Sequence, residues 1–269
     1  MTLRSILSDL LDPLPEGFII ATSGGIDSNA LLVTAHACKK NPVAISFTLA
    51  DRESADFKTA RRIADSLGVE FLPVRLPTDP DEIVKDVRFV IAASRLSGKA
   101  HVECTFPFLH VFRQLRDRAG DSPQTLVTGG AADGHFGVSK RAMIHYRYPT
   151  ERFQEFRRGY FDSADPAQTV SLPKLARRFN IDLVAPYTDR RVFDLWATAS
   201  WDDLNKPRQK EAIRSEFPEL DRFRLRPHTN LQLGDSGIAE TVGRAALDAY
   251  APKNKNAVAA YNRILKATR

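Results

Sequence analysis

Cysteine is close to absent. Cys38 and Cys104 are the only two in 269 residues, far apart and outside any C-x-x-C pattern. That excludes a disulfide framework and a thiolate zinc site. Either thiol could act as a sulfur carrier, but a buried, unreactive thiol is the commoner use of a lone cysteine. Long apolar runs are missing too: none approaches the roughly 18 residues that a membrane-spanning helix needs. Met1-Thr2-Leu3-Arg4 opens without the apolar core of a signal peptide. These absences lead to the expectation of a soluble, cytoplasmic protein with no membrane partner. The chain also carries no internal repeat, no low-complexity segment, no G-x-x-x-x-G-K-[ST] loop and no G-x-G-x-x-G fingerprint.

What is present is a globular composition, 43% hydrophobic and 27% charged, long enough to bury a sizeable core. Lys and Arg number 39 against 33 Asp and Glu, a net charge of +6. An enzyme that uses a nucleotide needs positive groups in any case, so this mild excess does not by itself indicate nucleic acid.

The most informative stretch is Ser23-Gly24-Gly25-Ile26-Asp27-Ser28. An apolar run, Phe18 to Ala21, precedes it, and a helical run, Asn29 to Ala37, follows. Strand, glycine turn and helix start together make a phosphate site. The glycines let backbone N–H groups approach an anion, the helix N-terminus adds partial positive charge, and Ser23 and Ser28 add hydroxyls. Asp27 makes sense beside a phosphate mainly if a divalent cation lies between them. A chance match to S-G-G-x-D-S in a chain of this length occurs about three times in ten thousand; the plainer alternative is a capped helix after a tight glycine turn with no ligand, and the fitting flanks weigh against it. The loop resembles the pyrophosphatase (PP) loop of the ATP pyrophosphatase superfamily, whose members cleave ATP between its α and β phosphates.

Along the chain, the pattern predicts a helix over 4–12, a strand over 17–22 and a helix over 27–40 that Asn41-Pro42 breaks. Val43 to Thr48 predicts a buried strand. Ala55 to Leu67 predicts a helix with Gly68 as its stop, and Glu70 to Val74 a strand kept to an edge by Pro73. Alternating strands and helices with short connections predict an α/β fold with a doubly wound parallel sheet of about five strands. Phosphate sites in such sheets lie at the carboxyl ends of the strands, where Ser23 to Ser28 falls. Residues 80–120 predict helix, with Pro107 opening a helix to Arg118. Thr125 to Thr128 predicts a strand running into a second glycine loop, Gly129 to Gly134. Residues 149–180 read as helical in tendency, 181–185 as a fifth strand, and Arg190–Ala199 and Pro207–Glu216 as helices. Asp221 to Arg226 alternates as extended chain does. The C-terminus is basic, with Lys253, Lys255, Arg263, Lys266 and Arg269.

Four motifs in order now resemble the synthetase domain of asparagine synthetases and β-lactam synthetase. They are Ser23 to Ser28; Ser46-Phe47-Thr48 with Asp56 and Ala60 to Gly68 behind it; Leu126 to Gly137, similar to the family's S-G-E-G-x-D-E-L-F-G-G-Y; and Ala185-Pro186-Tyr187-Thr188-Asp189, similar to R-x-P-F-L-D. Lys210 to Arg214 then resembles K-x-x-L-R. The resemblance implies an adenine nucleotide alpha hydrolase (HUP-like) fold with an N-terminal helix (1–16), a synthetase domain (17–216) and a basic, helical C-terminal extension packed on it (217–269). It departs from the family in three places. Gly130 and Gly134 replace two glutamates, and Leu183 or Val184 replaces the arginine. No glutaminase domain precedes residue 17, and Thr2 stands where that domain would carry cysteine.

By resemblance, Ser23, Gly24, Gly25, Ser28 and Gly129 hold the phosphates of ATP, and the backbone of Thr48 borders adenine. Asp27 and Asp133 ligate Mg²⁺, and Lys210 joins Asp133 as a catalytic residue by stabilising charge on the adenylate. The implied reaction is adenylation of a carboxylate, or an amide oxygen, and attack by ammonia or an amine, free or delivered by a partner protein. Two alternatives stay open. One is adenylation of a nucleobase in RNA or DNA, docked by Arg222, Arg224, Arg226 and the basic C-terminus. The other is a nucleotide-binding subunit without chemistry. His135 reads either as a phosphate ligand or as a packing residue. His36, Trp196 and Trp201 read as structural, and Asp51 and Glu53 as an exposed turn or a nucleotide border.

Overall fold

A computed structural model describes residues 1–96, 98–120, 122–139, 142–162, 171–225, 227, 235–250 and 256–268. Arg226, Lys253, Lys255 and Arg269, named above, lie outside the described residues. The first half alternates strand and helix: α1 (Leu3–Leu11), β1 (Ile19–Ala21), α2 (Ile26–Ala37), β2 (Val43–Leu49), α3 (Ala55–Leu67) and β3 (Glu70–Leu76). Two long helices follow, α4 (Pro80–Ser94) and α5 (Lys99–Ala119), then β4 (Gln124–Val127) and the short α6 (Ala132–His135). Next come α7 (Thr150–Asp162), α8 (Ser171–Arg177) and β5 (Ile181–Val184). The rest is helical: α9 (Arg190–Leu195), α10 (Trp201–Asn205), α11 (Glu211–Arg214), α12 (Ile238–Tyr250) and α13 (Ala257–Thr268).

The five strands form one parallel sheet in the order β3-β2-β1-β4-β5. Both faces are covered, so the strands are apolar on both sides, as β2 shows along Val43 to Leu49. Side chains alternate between two cores. Ile19, Ile45, Leu126 and Ile181 join α4, α5, α8, α12 and α13 on one face. Ile20, Ala44 and Val127 join α1, α2 and Phe136, Tyr187 and Phe217 on the other. Pro73 is exposed on β3, at the edge, where a missing N–H costs no ladder bond. The chain winds outward from β1 to β3, then crosses to β4. The carboxyl ends of β1 and β4 are therefore neighbours at the point where the winding reverses, which is where such folds bind ligands.

Local chemistry sets the helix ends. Ser54 accepts the Phe57 N–H at 3.2 Å to start α3, and Gly68, at φ 64, ends it. Four expectations need correction. First, α5 does not begin at Pro107 but runs through it from Lys99. Val102, Phe106, Leu109 and Phe112 are all buried in one core, and their burial outweighs the hydrogen bond that the proline ring removes. Second, the helix expected over 207–216 is only α11, preceded by α10, which was not foreseen. Lys210 interrupts the helical path with a left-handed backbone, φ 57. Third, the segment expected to be extended is a 3-10 helix, Pro218–Phe223, ended by Arg224 at φ 51. Fourth, α9 stops at Leu195 rather than at residue 199.

Candidate active site

The first glycine loop is tied to itself. The Ser23 N–H donates to Ser28 Oγ at 3.1 Å, and the Gly25 N–H donates to Ser23 Oγ at 3.1 Å. Asn29, fully buried, donates to the carbonyls of Ser23 (2.8 Å) and Gly25 (2.7 Å). Gly25 then stands at the N-cap of the twelve-residue α2, whose first N–H groups point out of the sheet's carboxyl edge. The first turn of α3 leans over the same loop. A Cβ on Gly24 would lie 2.4 Å from Asp56 Oδ1 and 3.1 Å from Asp56 Cα, so any side chain there would press on α3.

The second loop meets the first at Gly129, where a Cβ would lie 3.2 Å from the Cβ of Asp27. Its strand end is held by β5, with the Thr128 N–H on the Val184 carbonyl at 2.9 Å. α6 follows at once and carries Asp133. The buried Tyr187, from the Ala185 to Asp189 motif, donates its hydroxyl to the Asp27 carbonyl at 3.1 Å. Burial, with the Asp27 charge nearby, keeps that phenol protonated.

Lys210 joins the two loops. It is buried, and its Nζ donates to Asp27 Oδ2 and, at 2.6 Å, to Asp133 Oδ1. Burial by itself would lower the ammonium pKa, but Asp133 and Asp27 override it and raise the pKa, so the lysine stays charged. Asn205 aims the lysine by accepting the Lys210 N–H at 3.0 Å while donating to the Phe136 carbonyl at 2.8 Å. Asp27, Asp133 and Lys210 thus converge from the N-terminal ends of three separate helices, α2, α6 and α11.

Among the described residues, no three His, Cys, Asp or Glu side chains converge as a metal cage. Asp27 and Asp133 are nonetheless a suitable donor pair for Mg²⁺. That ion keeps most of its water and takes one or two carboxylates together with substrate phosphates. The pair fits an ion that arrives with a nucleotide rather than one held permanently.

The other expected residues fall as follows. Thr48 is buried, and its hydroxyl closes the turn after β2, donating to the Arg52 carbonyl at 2.7 Å and accepting the Ser54 N–H at 3.0 Å. His135 is a packing residue: it is buried among Tyr160, Phe161 and Phe193, and burial, with Arg157 nearby, pushes its pKa down to about 4. His36 is exposed rather than structural, and Cys38 and Cys104 are half-buried rather than buried. Asp51 is exposed, and Glu53 pairs with Arg75 at 2.6 Å. Trp196 packs edge-on to Phe136 and Trp201 donates to the Gly137 carbonyl at 2.9 Å, as structural residues do.

Asn29, Asn205 and Tyr160 were not singled out from the sequence. Asn29 directly follows the glycine loop, which is a usable signal; Asn205 and Tyr160 offer none. Tyr160 fills the space beside Gly134. A Cβ on Gly134 would lie 2.1 Å from Tyr160 Cζ, whereas one on Gly130 would meet Thr128 Oγ1 at 3.2 Å. Burial and the Asp133 charge raise the Tyr160 phenol to about 12, so a neutral hydroxyl stands beside Asp133.

The sequence model of the family described as asparagine synthase matches residues 20–231, most of the chain. The chain belongs to the asparagine synthase family. It is therefore a PP-loop protein of a family that uses ATP. No curated protein matches it. Solved structures similar to it include the following two. One is a predicted subunit of tRNA methyltransferase from Methanocaldococcus jannaschii, at 17% identity and TM-score 0.34, covering 75% of this chain and 86% of the other. The second is NMN synthetase from Francisella tularensis, at 13% identity and TM-score 0.37, covering 84% of this chain and 96% of the other. This asparagine synthase family member carries Asp133 in α6, directly after its second glycine loop.

Proposed function

We propose that the protein is an ATP-dependent adenylating ligase. It cleaves ATP to AMP and pyrophosphate, activates a carboxylate or an amide oxygen, and passes it to ammonia or an amine, forming a C–N bond. The synthetase unit is residues 17–216, flanked by 1–16 and 217–269. The observation that carries this reading is Lys210, bonded at once to Asp27 and Asp133 beside a glycine loop at the switch point of the sheet.

Ser23, Gly24, Gly25 and Ser28 receive the pyrophosphate portion on the N-terminus of α2. Gly129 lets the second loop close against the first, and Thr48, at the end of β2, borders the base. Asp27 and Asp133 hold Mg²⁺, which when bound neutralises charge growing on the leaving pyrophosphate. Lys210 supplies a fixed positive charge where charge develops, an effect of about 3–4 kcal/mol in comparable sites.

The test is pyrophosphate release from ATP and Mg²⁺ across a panel of amino acids, modified nucleobases, tRNA and DNA, with Asp27→Ala as control. AMP and pyrophosphate, stimulated by one acceptor class and absent in the variant, are expected. ADP and phosphate would overturn the reading.

A further inference from the structure

α7 lies across α6 because Arg157, fully buried, reaches through it. Arg157 donates Nε–H to the His135 carbonyl at 2.8 Å and a second N–H to the Trp196 carbonyl. Three residues on, and so on the same helix face, Tyr160 inserts the end of its ring into the notch at Gly134. The volume through which a side chain at 134 would leave the backbone is filled by phenol. The wall beside Asp133 is therefore uncharged and flat.

That wall continues. Tyr160 stacks with Phe156 at 6.0 Å between centroids and 28° between planes. Phe156 meets His145 at 4.5 Å and 31°, and His145 meets the exposed Tyr148 at 5.9 Å. Arg152 lies over Tyr148 at 5.2 Å. Tyr160, Phe156 and His145 are each half-buried. A row of rings thus runs from Asp133 to the surface. Such a row favours a flat ring by stacking, and it offers no carboxylate to an aliphatic ammonium.

We infer that the activated oxygen of this enzyme is borne by a planar aromatic or heteroaromatic ring, lying along Tyr160 and Phe156, and that Tyr160 is the residue selecting it. This rests on the adenylating reading above. The ring's carboxylate or amide oxygen attacks the α-phosphorus, the bond to the β-phosphate oxygen breaks, and pyrophosphate leaves; an amide also gives up its N–H proton at this step. The amine nitrogen then bonds to the activated carbon, AMP departs with the oxygen, and one proton is released.

The experiment measures equilibrium binding of nicotinate, uridine, a short oligothymidylate and aspartate to the full chain, with and without a non-hydrolysable ATP analogue. Variants are Tyr160→Phe, Tyr160→Leu and Gly134→Ala. The last displaces the phenol without altering Tyr160 and stands in should Tyr160→Leu not fold. Ring compounds are expected to bind and aspartate not. Tyr160→Phe should keep that binding, while Tyr160→Leu and Gly134→Ala should weaken it about tenfold, within the range of one base–aromatic stack. Affinity for the ATP analogue should not change. Oligothymidylate binding tighter than uridine, and weakening with salt, would mean a ring within nucleic acid; equal binding would mean a free one. Aspartate binding as well as the rings, or ring binding untouched in both variants, would overturn the inference. Failure of the wild type to bind the ATP analogue would overturn the adenylating reading instead, with ring binding still read separately.

Discussion

The ammonium of Lys210 and the carboxylate of Asp133 meet at 2.6 Å although 77 positions separate them in sequence. The charge on this lysine holds together two acids, Asp27 and Asp133, that would otherwise repel. Lys210→Met is expected to lower kcat/KM for pyrophosphate release by about a hundredfold or more, the size of one lost charge at a transition state. It should also lower the urea midpoint, because two facing carboxylates lose their partner. A variant that releases pyrophosphate at the wild-type rate would remove Lys210 from the chemistry.

Gly24→Ala should impair ATP binding through Asp56. The added methyl would fall 2.4 Å from Asp56 Oδ1 and 3.1 Å from Asp56 Cα. The expected result is at least a tenfold rise in the dissociation constant for ATP, read by calorimetry. Adding Asp56→Ala should recover only part of it, since the clash with the backbone of α3 remains.

Asn29→Ala removes the amide that donates to the Ser23 and Gly25 carbonyls. A cost of about 1–3 kcal/mol in unfolding free energy is expected. The KM for ATP should rise more than kcat falls, because the loop binds phosphate rather than reacts. An unchanged KM would show that the loop keeps its shape without Asn29.

Stability should fall as the solution becomes mildly acidic, because of His135. Burial, then Arg157, depress its pKa from 6.5 to about 4. Between those values the unfolded chain takes up a proton that the folded chain refuses, so stability present above pH 6.5 is lost as pH falls toward about 4. The full effect is at most about 3 kcal/mol. Urea midpoints measured across this window should drop less in His135→Leu; parallel curves would mean that another group controls the acid side.

The parts of the fold that were legible in the sequence are those with a repeating local signal. α3 carries apolar residues at helical spacing between Ser54 and Gly68, and both ends fall where that pattern puts them. The two glycine loops stand out because each ends an apolar run. Other features lack such a signal. α11 is four residues long and begins at a left-handed lysine, so no periodicity announces it. The course of α5 through Pro107 depends on the core around it, which local propensity does not record. The Tyr160–Gly134 contact spans 26 positions, with no motif at the Tyr160 end. Gly134 could be seen as a missing glutamate, but not what had taken its space.

That occupied space has a historical consequence. A side chain at 134 and the ring of Tyr160 cannot share their present space, since even the first carbon of such a side chain falls within the ring. Any lineage passing between the two states must therefore move the ring aside or shrink it as a side chain at 134 appears. An intermediate with glycine facing a small side chain would hold an open notch beside Asp133. Such an intermediate would be the least selective member of the series and the natural starting point for recruiting a different acceptor.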